Sequence, residues 1–171
     1  MKNYLRLLAL LLPLASLVAC SDDDKDVKTS KVPTPVKNTL TELFPDANFV
    51  EWELVHGYYV ADFYNAEDRS EKEVWIDNDG DWKLTVSDIA YNQLPEEIQN
   101  SFESGEYKDW YADDVDVITR PVYATIYIVD VEQRNSERER VLYYKADGEL
   151  YKTTGDRDPD YRAFITQEYP K

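Results

Sequence analysis

The hydrophobic pattern of this chain changes period several times. Its densest apolar run, Leu7-Leu8-Ala9-Leu10-Leu11-Leu12, is cut by Pro13 and is far shorter than the roughly 20 residues a membrane-spanning helix requires. Further on, Val36, Leu40, Leu43 and Phe44 recur at helical spacing, as do Leu94, Ile98 and Phe102, which predicts helices over 36–44 and about 94–104. Pro45 stops the first helix and Gly105 lies just past the second. Short runs rich in Val, Ile, Tyr and Trp predict strands at 49–53, 58–64, 72–76 and 82–86. A second set is expected at 117–119, 122–131, 140–144 and 150–152. The polar stretches 65–71 and 133–139 make hairpin loops, and Asp79-Gly80 and Asp147-Gly148 supply the positive φ of tight turns.

These elements recur in register. Val74 to Trp82 and Leu142 to Leu150 both run apolar strand, Asp-Gly turn, acid, apolar residue, with Gly80 and Gly148 separated by 68 positions. At the same offset Tyr59-Val60-Ala61-Asp62-Phe63 falls on Tyr127-Ile128-Val129-Asp130-Val131 without a gap. Two matches at one offset point to an internal repeat. The expected fold is α+β, two tandem helix-plus-four-strand units forming an antiparallel sheet with helices on one face. The first unit covers 36–89 and the second 90–155. Residues 156–171 form a tail in which Tyr161 to Pro170 makes a short helix packed on the domain.

A helix followed by a four-stranded meander, twice over, resembles the PepSY-like family, whose fold is that of β-lactamase inhibitory protein. The residues that carry the resemblance are Phe44-Pro45-Asp46-Ala47, the strand Tyr58–Phe63 and Trp75-Ile76-Asp77-Asn78-Asp79-Gly80 in the first unit. In the second they are Leu94-Pro95, the strand Tyr127–Val131 and Tyr144 to Gly148; that unit lacks the Phe-Pro and has Tyr107–Trp110 nearby. The resemblance implies a sheet with helices on one face and an open, often aromatic, face opposite. Its motifs are structural, so it does not imply inhibition of a β-lactamase.

The N-terminal region adds an address. Lys2 and Arg6 precede the apolar run, and Leu17-Val18-Ala19-Cys20 closes it. A small residue before a cysteine suits a signal peptidase, and the thiol is the atom that accepts diacylglycerol. This resembles the bacterial lipobox, with 1–19 as signal peptide and Cys20 as the lipidation site. Ser21-Asp22-Asp23-Asp24-Lys25-Asp26 looks like the acidic surface-export signal of Bacteroidota-type lipoproteins, carried by Ser21, Asp22, Asp23, Asp24 and Asp26. Read blandly, it is a self-repelling acidic linker. Residues 20–35 as a whole read as lipidated cysteine plus tether, with Val27 to Pro35 an extended spacer. The expected location is the outer membrane, lipid-anchored and surface-exposed, with a periplasm-facing protein as the alternative.

Charge narrows the partners. The 19 basic side chains include Lys2 and Arg6; without those two, 17 stand against 35 acids, a formal charge of −18. Such a surface repels phosphate backbones, so no nucleic acid is expected. One cysteine excludes an internal disulfide, and the single histidine, His56, leaves no His/His or His/Cys site and reads as a strand residue. Asp77-Asn78-Asp79-Gly80-Asp81 invites a calcium reading, but its glycine comes too early for an EF-hand loop and Asp88 stands where a twelfth-position Glu belongs. The carboxylate pairs Glu71/Glu73, Glu96/Glu97 and Asp113/Asp114 read as solvated faces or loops. There is no nucleophile elbow, phosphate loop or dinucleotide fingerprint. Neither an enzyme nor any cofactor or metal site is expected.

Fourteen Tyr, four Trp and five Phe argue for a folded domain and a sticky surface. Strand alternation puts Val74 and Ile76 on one face and Trp75 on the other; likewise Leu142 and Tyr144 oppose Tyr143. If helices cover Ile76 and Tyr144, then Trp75 and Tyr143, with Tyr58 and Trp52, form a candidate binding face. The expected function is a non-enzymatic cell-envelope binding domain recognising a protein or peptide through that face. The alternatives are an inhibitor or accessory protein of a secreted or periplasmic enzyme, or a glycan-binding surface lipoprotein stacking sugars on Trp75 and Tyr143.

Overall fold

Every backbone N–H and C=O in a folded chain needs a partner, and here the largest regular source of partners is one sheet. The computed structural model describes residues 25–155 and 159–166; the signal peptide, Cys20, Ser21, Asp22, Asp23 and Asp24 lie outside them. Strands β1 (Lys25–Asp26), β2 (Glu51–Val55), β3 (Tyr58–Asn65), β4 (Ser70–Ile76), β5 (Trp82–Asp88), β6 (Tyr111–Thr119), β7 (Ile126–Glu132), β8 (Glu139–Lys145) and β9 (Leu150–Thr154) form a single antiparallel sheet. Their spatial order is their sequence order. Helices α1 (Thr34–Leu43), α2 (Glu96–Ser104) and α3 (Arg162–Thr166) are short.

This corrects the expected fold class. The molecule is one nine-stranded sheet with few helical residues, not two tandem helix-plus-four-strand units. The seam between the supposed units is an ordinary ladder, in which Thr85, Val86, Ser87 and Asp88 of β5 pair with Thr119, Ile118, Val117 and Asp116 of β6. Two separate sheets would leave two rows of backbone groups unpaired at that seam; joining them satisfies both. One core cluster also crosses it, uniting Val60 and Trp75 with Ile126, Ile128 and Tyr143.

Helices cover both faces of the sheet. Helix α1 packs Val36 and Leu40 onto Trp52, Ala61, Val74 and Ile76. Helix α2 packs Ile98 and Phe102 onto Val129, Leu142 and Tyr144 on the same side. Helix α3 lies on the opposite side, where Phe164 joins Trp75, Leu84, Ile118 and Tyr143. The reason is visible in strands apolar on both faces: a second apolar surface needs its own cover.

Several boundaries moved, among them the start of β6, expected at 117 and found at Tyr111, and that of β7, expected at 122 and found at Ile126. Lys25-Asp26 pairs with Leu54 and Glu53, Val27 N–H donates to Trp52 O at 2.7 Å, and Val32 is 3% exposed. Lys25 and Asp26 therefore belong to the fold, and so does the expected spacer Val27 to Pro35. Phe49, expected to open a strand, stands in a loop with φ 55. His56, expected in a strand, forms with Gly57 the two-residue turn between β2 and β3, at φ 49 and 90, the signature of a type I′ hairpin.

The Asp-Gly turns are pressed against helix N-termini. Gly80 has φ 93, and a Cβ there would lie 2.8 Å from Pro35 Cβ in the first turn of α1. Gly148 has φ 84, and its Cβ would lie 2.5 Å from the Glu97 carbonyl oxygen in α2. Only glycine satisfies both the backbone angle and the close approach. Thr39 Oγ1 donates to Gly80 O at 2.5 Å, tying α1 to its turn.

Candidate functional site

Strand alternation separates the sheet face beneath α3 into two halves. The apolar half is closed. Phe164 stacks on Tyr143 with ring centroids 6.1 Å apart, Tyr151 packs edge-on to Tyr143 at 6.2 Å, and Lys152 Nζ sits 4.7 Å from the same ring centroid. Arg120, 6% exposed, lies against the rings of Tyr123 and Phe164. It donates to Phe164 O at 3.1 Å, holding α3 down.

The candidate binding aromatics are thus placed differently from expectation. Trp75 is 6% and Tyr143 4% exposed, so both are core residues under the tail and not an open face. Tyr58 is half-buried against Trp75, with centroids 6.2 Å apart. Trp52, 5% exposed, belongs to the opposite face with α1. The four do not form one surface, and no sugar can stack on Trp75 or Tyr143 while α3 is in place.

The other half of this face is open and acidic. Residues directly opposite across a ladder share a face, and here carboxylate repeatedly meets carboxylate. Glu51 pairs with Asp62, Asp62 with Glu73, Asp88 with Asp116, and Asp114 with Asp130. Like charges in these positions destabilise a sheet, so folding alone does not account for them. All of these but Asp130 line a cleft of about 810 Å³ that holds eight Asp or Glu side chains and a single cation, Lys72. That amine is already engaged, 2.7 Å from Asp68 Oδ2 and 3.1 Å from Ser87 Oγ. Phe49, 99% exposed, and Tyr64, 56% exposed, stand at the rim.

Crowding and burial change how these acids titrate. Burial, followed by the charges of Glu73, Glu53, Glu51 and Glu71, pushes the Asp62 carboxyl up to about 7. Burial likewise lifts Asp116 to about 7, with Asp114, Glu73 and Asp130 adding repulsion against the hydrogen bond that Tyr161 donates. Glu73 is raised by burial although Trp75 Nε1–H donates to it at 3.3 Å. Asp88 is raised by burial and then by Asp114 and Glu71. Two groups balanced near neutrality respond to any cation brought into the cleft.

Sequence reading missed this site because it set Glu71/Glu73 aside as a solvated pair. The available signal was the i, i+2 spacing of Glu51/Glu53, Glu71/Glu73 and Asp114/Asp116 within strands, which places each pair on one face. The turn at Asp77 is engaged otherwise. Its Oδ1 accepts from Asp79 N–H and Asp81 N–H at 3.0 and 2.9 Å, and its Oδ2 is 2.7 Å from Lys83 Nζ. Among the described residues no group of three or more His, Cys, Asp or Glu side chains is arranged to hold a metal ion.

Known proteins share this architecture. The family described as "Putative beta-lactamase-inhibitor-like, PepSY-like" matches residues 57–152. A DUF2874 family protein from Bacteroides ovatus superposes with a TM-score of 0.67 at 32% identity, covering 71% of this chain and 86% of its own. A BLIP-like protein from Bacteroides fragilis does so with a TM-score of 0.67 at 31% identity, covering 75% and 89%. A protein from Bacteroides eggerthii, described as "putative periplasmic", shares the fold with a TM-score of 0.67 at 23% identity, covering 72% and 88%. No curated protein matches the chain. With the family match spanning more than half of its length and two relatives above 30% identity, this chain belongs to the PepSY-like, β-lactamase-inhibitor-like family.

Proposed function

We propose that this is a lipid-anchored envelope protein whose domain binds, without catalysis, a protein or peptide segment on the acidic half of its sheet. The observation that carries the reading is the row Glu51–Asp62–Glu73, three carboxylates side by side across β2, β3 and β4 at the floor of an open cleft. A lysine- or arginine-bearing partner relieves that repulsion, and Phe49 and Tyr64 at the rim offer apolar contact with little rotamer entropy to lose. The anchor is Cys20, and Ser21, Asp22, Asp23, Asp24 and Asp26 direct the protein to the outer surface of the outer membrane. Among the described residues no helix is long and apolar enough to cross a membrane.

Calorimetric titration of the mature protein with an extended lysine-bearing peptide tests the cleft. Binding is expected for wild type and lost in Asp62→Asn/Glu73→Gln/Asp114→Asn. A second triple variant, Glu103→Gln/Glu106→Gln/Asp109→Asn, removes the same number of carboxyls from the region of α2 and controls for bulk attraction. Equal loss in both variants rejects the cleft as the binding surface.

A second reading, an inhibitor of a secreted enzyme, draws on the likeness to the BLIP-like Bacteroides fragilis protein. It differs in requiring that the partner be an enzyme whose turnover falls on binding.

A further inference from the structure

The N-terminal edge of the sheet differs in charge from the rest of the molecule. From residue 25 to 41 the chain carries Lys25, Lys28, Lys31 and Lys37 against one acid, Asp26, whereas residues 42–171 carry 31 acids against 13 bases. Lys25, Lys28 and Lys31 are exposed and Lys37 is half-buried. These lysines are not on a free tail. Lys25 lies in β1 opposite Leu54, Lys28 and Lys31 border a 3-10 turn at Thr29–Lys31, and Val32 pins that turn into the core beneath α1. Register also separates charge by face: Lys25 takes the α1 side with Leu54, and Asp26 takes the carboxylate side with Glu53.

The second observation is a length. Between Cys20 and Lys25 there are five Cα steps, which span at most about 18 Å in any conformation. The nine-stranded sheet is roughly 38 Å wide at its ordinary strand spacing. A domain acylated at Cys20 is therefore held by its β1 edge, on a leash less than half its own width. The basic edge is kept within about two Debye lengths of the headgroups.

Resting on the lipid-anchor reading above, we propose that the Lys25–Lys37 edge is a membrane-contact surface that takes anionic headgroup phosphates. It stands the sheet edge-on, with the acidic face turned off the surface. The partner is a lipid surface because the leash brings no other phosphate so persistently within reach. Two charge groups oppose the contact: the acidic body, and Asp22, Asp23 and Asp24 on the leash itself. The acidic body favours an orientation in which only the lysine edge approaches the membrane, whereas the leash aspartates weaken that approach.

The test uses the mature acylated protein in vesicles of phosphatidylcholine, with or without about one-third phosphatidylglycerol, carrying a headgroup quencher. Acylation consumes the native thiol, so a fluorophore attaches at an introduced cysteine, Thr29→Cys beside the lysines or Glu137→Cys in the β7–β8 loop, about 30 Å across the sheet. In anionic vesicles quenching is expected to be at least roughly threefold stronger at position 29 than at 137. That difference should fall to its value in phosphatidylcholine on Lys25→Gln/Lys28→Gln/Lys31→Gln, and should grow on Asp22→Asn/Asp23→Asn/Asp24→Asn. Equal quenching at both positions, or an unchanged lysine variant, overturns the contact while leaving the anchor intact. Failure of the wild-type chain to float with either vesicle overturns the anchor reading and this proposal with it.

Discussion

Tyr161 donates its phenolic proton to Asp116 Oδ2 at 2.6 Å across 45 residues of sequence. This bond lies where the closed, apolar half of the sheet meets the open, acidic half. On one side of it Phe164 and Ile165 cover the aromatic cluster; on the other Asp116 lines the cleft. Burial, and then the neighbouring Asp116, pushes the phenol far above its usual range, so it remains a donor at every relevant pH. The acid, in contrast, is poised near neutrality, which couples the tail's attachment to the charge of the cleft.

The first expectation concerns pH. Asp62 and Asp116 are raised from 3.8 to about 7 in the fold, so between about pH 4 and 7 the folded protein holds protons that the unfolded chain has released. Stability therefore falls as pH rises through that window and is fully recovered below it. Melting temperature should rise by about 3 °C or more on going from about pH 8 to 5.5. Asp62→Asn/Asp116→Asn should flatten that slope and leave the smaller rise from general charge neutralisation. An undiminished slope would show that these two carboxyls titrate normally.

A second expectation reverses the role first assigned to two aromatics. Since Trp75 and Tyr143 are core residues, Trp75→Ala and Tyr143→Ala should each lose about 3–5 kcal/mol of stability. Urea unfolding with intact midpoints in both would mean that α3 is not seated in solution.

Phe164 gives a cleaner view of the same cover. Phe164→Ala removes the ring stacked on Tyr143 and should cost about 3 kcal/mol. It should also increase binding of an apolar dye, because Tyr143 and its neighbours lose their lid. Dye binding equal to that of wild type would contradict the placement of α3.

Two turn glycines should respond unequally. A Cβ at Gly57 meets nothing within 4 Å, whereas at Gly148 it falls 2.5 Å from a backbone oxygen of α2. Gly57→Ala should cost about 1 kcal/mol for its positive φ. Gly148→Ala should cost about 2–4 kcal/mol, because α2 must also shift. Equal losses by thermal unfolding would place the two turns in similar surroundings.

For the anchor, Cys20→Ala should abolish incorporation of labelled fatty acid and release the protein from membranes. Asp22→Ala/Asp23→Ala/Asp24→Ala/Asp26→Ala should retain the protein inside the envelope without changing its melting temperature. Antibody labelling of intact cells, equally bright for this variant and wild type, would exclude an export role for the acidic run.

The sequence alone determined what depends on neighbours a few residues away. Period-2 and period-3.6 patterns located most strands and both larger helices, and alternation set Trp75 opposite Ile76 and Tyr143 opposite Tyr144. Family likeness was also legible, because Trp75 to Gly80 and Tyr58 to Phe63 are local motifs. The tertiary structure decided everything that depends on which surfaces meet. Alternation shows that Trp75 and Ile76 face opposite ways, but not that α3, some 90 residues later, returns to cover Trp75. The helical pattern at 94–104 separated β5 from β6 but carried no information about their pairing, because a ladder is made by backbone groups that every residue shares. The acidic cleft was hidden for the same reason. Glu51, Asp62 and Glu73 are far apart in the chain and ordinary one by one, and only the register of β2, β3 and β4 sets their charges side by side.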